Sequence, residues 1–338
     1  MASIRCAAIA IVMLFSAAQA ARANDTTAEL KTGGLVFVQT DAISMVEEKL
    51  HISPTEVRVE YRFRNNTDTD VEALVAFPVP DVEGGYDQMI AFDPDAGDNF
   101  LGFEASQDGR PIRAELQQQA LVHDVDLTAE LAAETIPLMP GGEATGAALS
   151  RLGPEAIERF KGLGLIGVEQ WDDGSGMKDH LLPLWTLKSV YWWKTVYPAN
   201  SEVSVRHSYT TSVGGTVDVT YLDENGEPRG ERFAEYKKRY CLDDAMVRIA
   251  QKSRKAAMET GKPLYVENWI SYILMTGNNW AGPIGTFTLT VDKGDPRNVV
   301  SFCGEGVTKT GPTTFEMKKT DFYPDRDLDI LLLVPAGF

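Results

Sequence analysis

Cysteine and histidine are scarce in this 338-residue chain, with three of the first and four of the second. So few donors argue against a zinc scaffold or an iron–sulfur cluster of the usual kind. No Cys-x-x-Cys occurs, which argues against dithiol redox chemistry. Positive charge is also short: 32 Lys plus Arg face 49 Asp plus Glu, for a net charge of −17. A chain so acidic is a poor partner for nucleic acid or an anionic membrane, because phosphates need a positive patch. No apolar run is long enough to cross a bilayer comfortably, and no solenoid-length repeat or low-complexity tract appears. What is present is ordinary globular composition, 43% hydrophobic and 24% charged. At roughly 150 residues per domain, the length suggests two domains with ample core.

The beginning reads as an address. Met1 to Arg5 is a short basic start, Cys6 to Ala18 is nearly all apolar, and Ala18-Gln19-Ala20 and Ala21-Arg22-Ala23 offer small-residue cleavage sites. These are the three parts of a secretory signal peptide over 1–23, cleaved after Ala20 or Ala23. Cys6 opens the apolar run rather than ending it, which argues against a lipid-anchored cysteine. The expectation is an exported protein, soluble after cleavage. Cleavage leaves Cys241 and Cys303, which in an oxidising compartment most simply form one structural disulfide. The rival reading is two unpaired thiols.

Most of the remaining chain alternates with period two. Val57, Val59, Tyr61 and Phe63 interleave with Arg58, Glu60, Arg62 and Arg64, which predicts a strand with one buried and one wet face. The polar turn Asn65 to Asp70 reverses the chain into Val71, Ala73, Val75 and Phe77, ended by Pro78 and Pro80. Strands are also predicted over Leu35 to Thr40, Met45 to Ile52 and Gly102 to Ser106, with Asp108-Gly109 as a hairpin turn. Glu115 to Glu134, rich in Ala, Leu, Gln and Glu, reads as helix, as does Ala147 to Lys161 interrupted near Gly153-Pro154. Long strands follow through Trp185 to Trp193, Val203 to Tyr209 and Val217 to Tyr221. One helix then opens at Asp243 or Asp244 and stops at Gly261 and Pro263. Strands at Phe287 to Val291 and Leu328 to Leu332 close the chain. The expected fold is mainly β: two antiparallel β-sandwich-like domains, 24–115 and 180–338, with a helical insertion and linker over 116–179 and one helix inside the second.

These segments resemble the bacterial envelope family catalogued as domain of unknown function family 4424. The resemblance is carried by Asn24-Asp25-Thr26-Thr27-Ala28, Val75-Ala76-Phe77-Pro78-Val79-Pro80-Asp81, His207-Ser208-Tyr209 with Gly214-Gly215, Gly277 to Ile284, and Ser301-Phe302-Cys303-Gly304. Thr26 stands where the family favours Ser, which preserves the hydroxyl. The resemblance implies a Gram-negative periplasmic setting and assigns no catalytic residue. A shorter stretch, Val57 to Asp81, is similar to the β-sandwich domain of inter-α-trypsin inhibitor heavy chains, an interaction scaffold; it speaks to fold more than function.

Candidate site residues are few. His207 beside Ser208 invites a hydrolase reading, but strand neighbours point to opposite faces. A hydrogen-bonded core histidine, with His207 as a functional polar group at most, is the competing reading. Asp93, Asp95, Asp98 and Asn99 crowd one loop and offer the hard oxygens that Ca²⁺ prefers, without EF-hand spacing. Asp321, Asp325, Asp327 and Asp329 form a second acidic run, better suited to flanking a strand. All six tryptophans lie in the second half. Trp192 and Trp193 are adjacent in a strand and cannot share one core, and Trp280 sits in the dense turn Gly277 to Gly285, so these three are candidate ligand or partner contacts. The reading is an exported, non-enzymatic binding or scaffolding protein, with an envelope protein or glycan as partner and no cofactor. A carbohydrate- or calcium-binding envelope protein is the alternative, and a periplasmic hydrolase the third.

Overall fold

A computed structural model describes residues 26–337 apart from 32–33, 86–91, 173 and 175. The signal-peptide expectation, residues 1–23, lies outside the described residues. The alternating segments form strands with the predicted faces: Val57–Asn65 alternates buried and exposed along its whole length, and so does most of Glu202–Tyr209. The Asp108-Gly109 turn joins Glu104–Gln107 to Arg110–Ile112, both turn residues having positive φ. Asn65 organises the polar turn. Its amide Nδ2 donates to the carbonyls of Thr69 and Tyr197, each at 2.8 Å, and its Oδ1 accepts the Thr67 N–H at 2.9 Å.

The broadest sheet runs Thr308–Lys309, Thr314–Phe322, Ile284–Asp292, Ile43–Ile52, Val57–Asn65, Glu202–Tyr209, Glu104–Gln107, Arg110–Ile112. A second sheet runs Val125–Asp126, Glu115–Val122, Thr186–Tyr197, Val71–Pro78, Thr26–Lys31, Gly34–Val38, with Val82–Glu83 also on Thr186–Tyr197. A third has four strands, Gly214–Gly215, Tyr265–Tyr272, Leu328–Pro335 and Val299–Phe302. Both smaller sheets lie on the inner face of the broad one. Val75, Phe77, Tyr191 and Trp193 from the second sheet, and Ile270, Tyr272, Ile330 and Leu332 from the third, share one buried cluster with Val59, Tyr61, Phe63 and Val205.

The fold is mainly β, as the patterning predicts, and the structure adds several corrections. The sheets do not follow the boundaries 24–115 and 180–338: Glu202–Tyr209 sits between Val57–Asn65 and Glu104–Gln107. Ile284–Asp292 pairs with Ile43–Ile52, and in parallel. Alternation reports which face is buried, not which strand is the neighbour. Glu115–Val122, expected as helix, is a strand paired along Thr186–Tyr197 from Leu121↔Thr186 to Glu115↔Trp192. Its Leu, Gln and Ala content favours helix, but long-range pairing overrides a weak local preference. Val217 to Tyr221 is not a strand; Val219 and Tyr221 are buried from a loop.

Helices occupy the edges. In the middle segment α1 covers Thr128–Ala133, α2 Gly142–Leu149 and α3 Pro154–Gly162, the last two separated at Gly153. They bury Leu131, Leu149 and Phe160 against Ala120 and Trp185. The later region has two helices where one was expected, α4 over Glu231–Tyr240 and α5 over Asp244–Thr260. Asp243 caps α5 by accepting the Met246 N–H at 2.7 Å, and Gly261 ends it in the left-handed region. Both helices cover the outer face of the third sheet, around Leu331 and Leu333. On that sheet Gly214 faces Trp269 so closely that a Cβ would overlap the indole.

Cys241 and Cys303 are bonded, joining the end of α4 to the chain after Val299–Phe302. The bridge spans 62 residues, and loop closure of that size stabilises by about 4 kcal/mol on the chain-entropy argument. Replacing both cysteines with serine is therefore expected to lower stability by about 4 kcal/mol, seen as a reduced urea midpoint. Equal midpoints for oxidised and fully reduced protein would show that the bridge contributes nothing.

Candidate functional site

His207 is sealed in the core. Its ring lies 5.0 Å from Phe77, 5.2 Å from Trp193, 5.3 Å from Phe103 and 5.6 Å from Tyr61, between centroids. Burial among these rings pushes the imidazole down to about 3, so it is neutral in the folded protein at ordinary pH. Ser208 points to the other side of the sheet, as strand geometry requires. The pair therefore cannot work as nucleophile and base.

The acidic loop is used within the fold. The Asp95 carboxylate accepts the N–H groups of Glu143 (3.0 Å) and Ala144 (3.3 Å), capping α2, whose own N-cap is Gly141. Asp93 accepts the Asp95 N–H. Asn99 Oδ1 accepts the Tyr191 hydroxyl at 2.6 Å and the Phe103 N–H at 2.8 Å. Asp98 remains in the loop, near enough to Tyr191 to raise its hydroxyl further, after burial, to about 12. In the second acidic run, Asp327 accepts the N–H groups of Leu274 and Met275, and Asp329 pairs with Arg239 at 2.8 Å. Among the described residues no three His, Cys, Asp or Glu side chains converge as a metal site.

The three singled-out tryptophans divide as strand geometry requires. Trp193 points into the core and is buried, while its neighbour Trp192 faces outward and is half-buried. Trp280 is enclosed over Phe63, with ring centroids 4.4 Å apart. Its turn carries a structural load: Asn279 Nδ2 donates to the Thr26 hydroxyl at 2.8 Å, and the Thr40 and Ala281 N–H groups bind the Asn279 and Ile43 carbonyls.

An open cleft lies elsewhere, between α2 and α3 on one side and the hairpin Ile166–Asp172/Met177–Pro183 on the other. Its volume is about 820 Å³, within the range of small-ligand sites. Local sequence builds it. The Leu163-Gly164 turn ends α3, Gly164 having positive φ, and sends the chain into the hairpin. The Leu184 N–H binds the Leu165 carbonyl and closes the hairpin's base. Trp185 Nε1 donates to the Leu138 carbonyl at 2.6 Å, and the Thr145 hydroxyl to the Met139 carbonyl at 2.7 Å, holding the segment before α2. Leu149 and Ile157 supply apolar floor; Trp171 and His180 supply stacked rings, 3.4 Å between centroids and 6° from parallel. Trp171 belongs to the tryptophan set noted in the sequence but was not singled out. Its one sequence signal is its place in the glycine-rich stretch Gly162 to Gly176.

Two outcomes follow. The unfolded histidine binds a proton near pH 6.5, whereas the folded one does so only near 3. This contribution is full above pH 6.5 and is lost as pH falls toward 3, by up to about 1.4 kcal/mol per unit. Asp81, held up to about 6 chiefly by burial, acts in the opposite sense between 6 and its unfolded value. The measurement is therefore a difference: urea midpoints from pH 7 to 4 should fall more steeply in the wild type than in His207→Leu, and parallel slopes would refute the buried neutral imidazole. Asp95→Ala removes the cap of α2 and should cost about 1 kcal/mol, while Ca²⁺ leaves the wild-type melting temperature unchanged.

Comparison with the curated proteins finds no match. Among solved structures the chain is similar to a Legionella pneumophila protein described as a candidate nutrient-binding protein, with 14% identity and a TM-score of 0.43 over 92% of this chain and 70% of that one. It is also similar to the M1 zinc metallopeptidase of Deinococcus radiodurans. A mutant of that enzyme bound to a Tyr-Ser-Ala substrate gives 7% identity and a TM-score of 0.27 over 88% of this chain. A second structure of the peptidase gives 8% and 0.24. The chain spans under half of that peptidase, 44% and 43% in the two structures. The sequence profile of the family described as Domain of unknown function (DUF4424) matches residues 23–331, well over half of the chain, and the protein belongs to that family.

Proposed function

We propose that this is an exported, non-enzymatic binding protein of the bacterial envelope that takes a small ligand in the cleft between α2–α3 and the hairpin Ile166–Pro183. The observation that carries the reading is the cleft itself: about 820 Å³, open, apolar at its floor and polar at its rim. Its walls are separate from the main core, since α1–α3 and the hairpin base pack in a cluster of their own around Phe160, Leu165 and Trp185. A site so placed can vary in shape without disturbing the sheets. Export is supported by the basic start and apolar run at residues 1–18 and by the Cys241–Cys303 bridge. The binding reading is favoured over catalysis because His207 is sealed away from Ser208 and from solvent. Calcium binding at Asp95 is disfavoured because its carboxylate already caps α2.

Gly146 offers the test. It lies in α2, lines the cleft, and an added Cβ would meet nothing within 4 Å beyond its chain neighbours and its own helix backbone. Gly146→Trp should obstruct the cleft without harming the helix, since glycine is the weaker helix former. A thermal-shift screen of sugars, amines, amino acids and organic acids should find a ligand that raises the wild-type melting temperature by several degrees. Gly146→Trp should abolish that shift while melting normally by itself. A screen with no shift, or a shift retained in the variant, would overturn the assignment of the cleft.

A further inference from the structure

We infer that the cleft takes a neutral saccharide, with one pyranose ring lying on the exposed indole of Trp171; the inference rests on the reading of this cleft as the ligand site. Trp171 is 39% exposed, whereas Trp185, Trp193 and Trp280 are 0%, 4% and 3%. One indole is thus left in water at the wall of a cleft while others are consumed by packing. The parallel His180 ring covers one face of it, which fixes the plane of the indole before any ligand arrives and lowers the ordering cost of binding. The result is a flat, one-sided aromatic platform. A sugar ring presents a matching surface, apolar C–H groups on its face and hydroxyls around its edge.

The charges select against other ligands. Among the described lining residues, the charged ones are Glu83, Glu158, Asp179 and Lys161. Lys161 is held by Glu158 at 3.1 Å, so the cleft is net acidic in a chain of net charge −17. A phosphate or carboxylate ligand would meet three carboxylates and one lysine among these described lining residues, a balance that repels it. A quaternary or primary amine is best held by several rings forming a cage; here the described aromatic lining is one indole with His180 behind it. A neutral polyol meets neither objection. Asp179, which also lines the cleft, offers a carboxylate that accepts hydroxyl hydrogen bonds. The open side of the cleft allows a chain of rings to extend past the platform.

The test is calorimetric titration of the mature protein with neutral hexasaccharides of glucose, mannose, galactose and N-acetylglucosamine, and with spermidine and inorganic phosphate as charged probes. The expected result is binding of at least one hexasaccharide and of neither charged probe. Trp171→Ala should weaken that binding at least about tenfold, the scale of one aromatic stacking contact. Trp171→Phe should restore part of it, and Trp192→Phe should leave it unchanged. Absence of binding by all four hexasaccharides, or affinity that survives Trp171→Ala, overturns the saccharide assignment. The two readings fail differently. A charged or other small ligand blocked by Gly146→Trp sinks the saccharide and keeps the cleft, whereas hexasaccharide binding indifferent to Gly146→Trp removes both.

Discussion

The inward face of Val57–Asn65 is the surface on which the rest of the molecule is assembled. Tyr61 and Phe63 project from it side by side, 5.3 Å between ring centroids. Tyr61 reaches the third sheet through a 3.1 Å contact between its hydroxyl and that of Tyr272. Phe63 supports Trp280 and the edge of Tyr197, while His207 on the adjacent strand meets Phe77 and Trp193 from the second sheet and Phe103 from the chain leading into Glu104–Gln107. Large rings bury much apolar area each, so this one patch joins three sheets into a single core. It also explains why so much of the chain's aromatic content is unavailable for binding.

Separation of stability from recognition follows from that arrangement. The two-stranded hairpin is a sheet of its own among the described residues, unpaired with the ladders of the larger ones, and it leans on α3 and on the chain around Trp185. An isolated hairpin is marginal in water, so its position depends on the capped α2 and on α3. The segment between the strands Glu115–Val122 and Thr186–Tyr197 is therefore a self-contained addition to one edge of the second sheet. Its shape is set by caps and turns rather than by the aromatic core.

Buried polar groups elsewhere serve as anchors. Glu267 is fully enclosed, accepts hydrogen bonds from the Thr220 backbone and hydroxyl and from the Tyr236 hydroxyl, and is pushed up mainly by burial. It holds the loop through Val219 and Tyr221 against the third sheet where a strand would have supplied ladder bonds. The wet face of the broad sheet carries matched charges, with Arg62 between Glu47 and Glu202 and Arg206 near Glu60. Exposed pairs of this kind add little stability each, but they keep the solvent face of the sheet charged.

Local periodicity was readable from the amino acids by themselves. The buried faces of Val57–Asn65 and Glu202–Tyr209, the Asp108-Gly109 turn and a helix start at Asp243 or Asp244 are all decided within a few residues. The opposite fates of Trp192 and Trp193 follow from their adjacency in a strand. Partner choice was not readable in this way. The parallel pairing of Ile43–Ile52 with Ile284–Asp292, and the conversion of helix-favouring Glu115–Val122 into a strand, are set by hydrogen bonds to segments tens to hundreds of residues distant. The same holds for the site: which tryptophans become core and which one is left on a cleft wall depends on what packs over each ring, and only the tertiary structure supplies that cover.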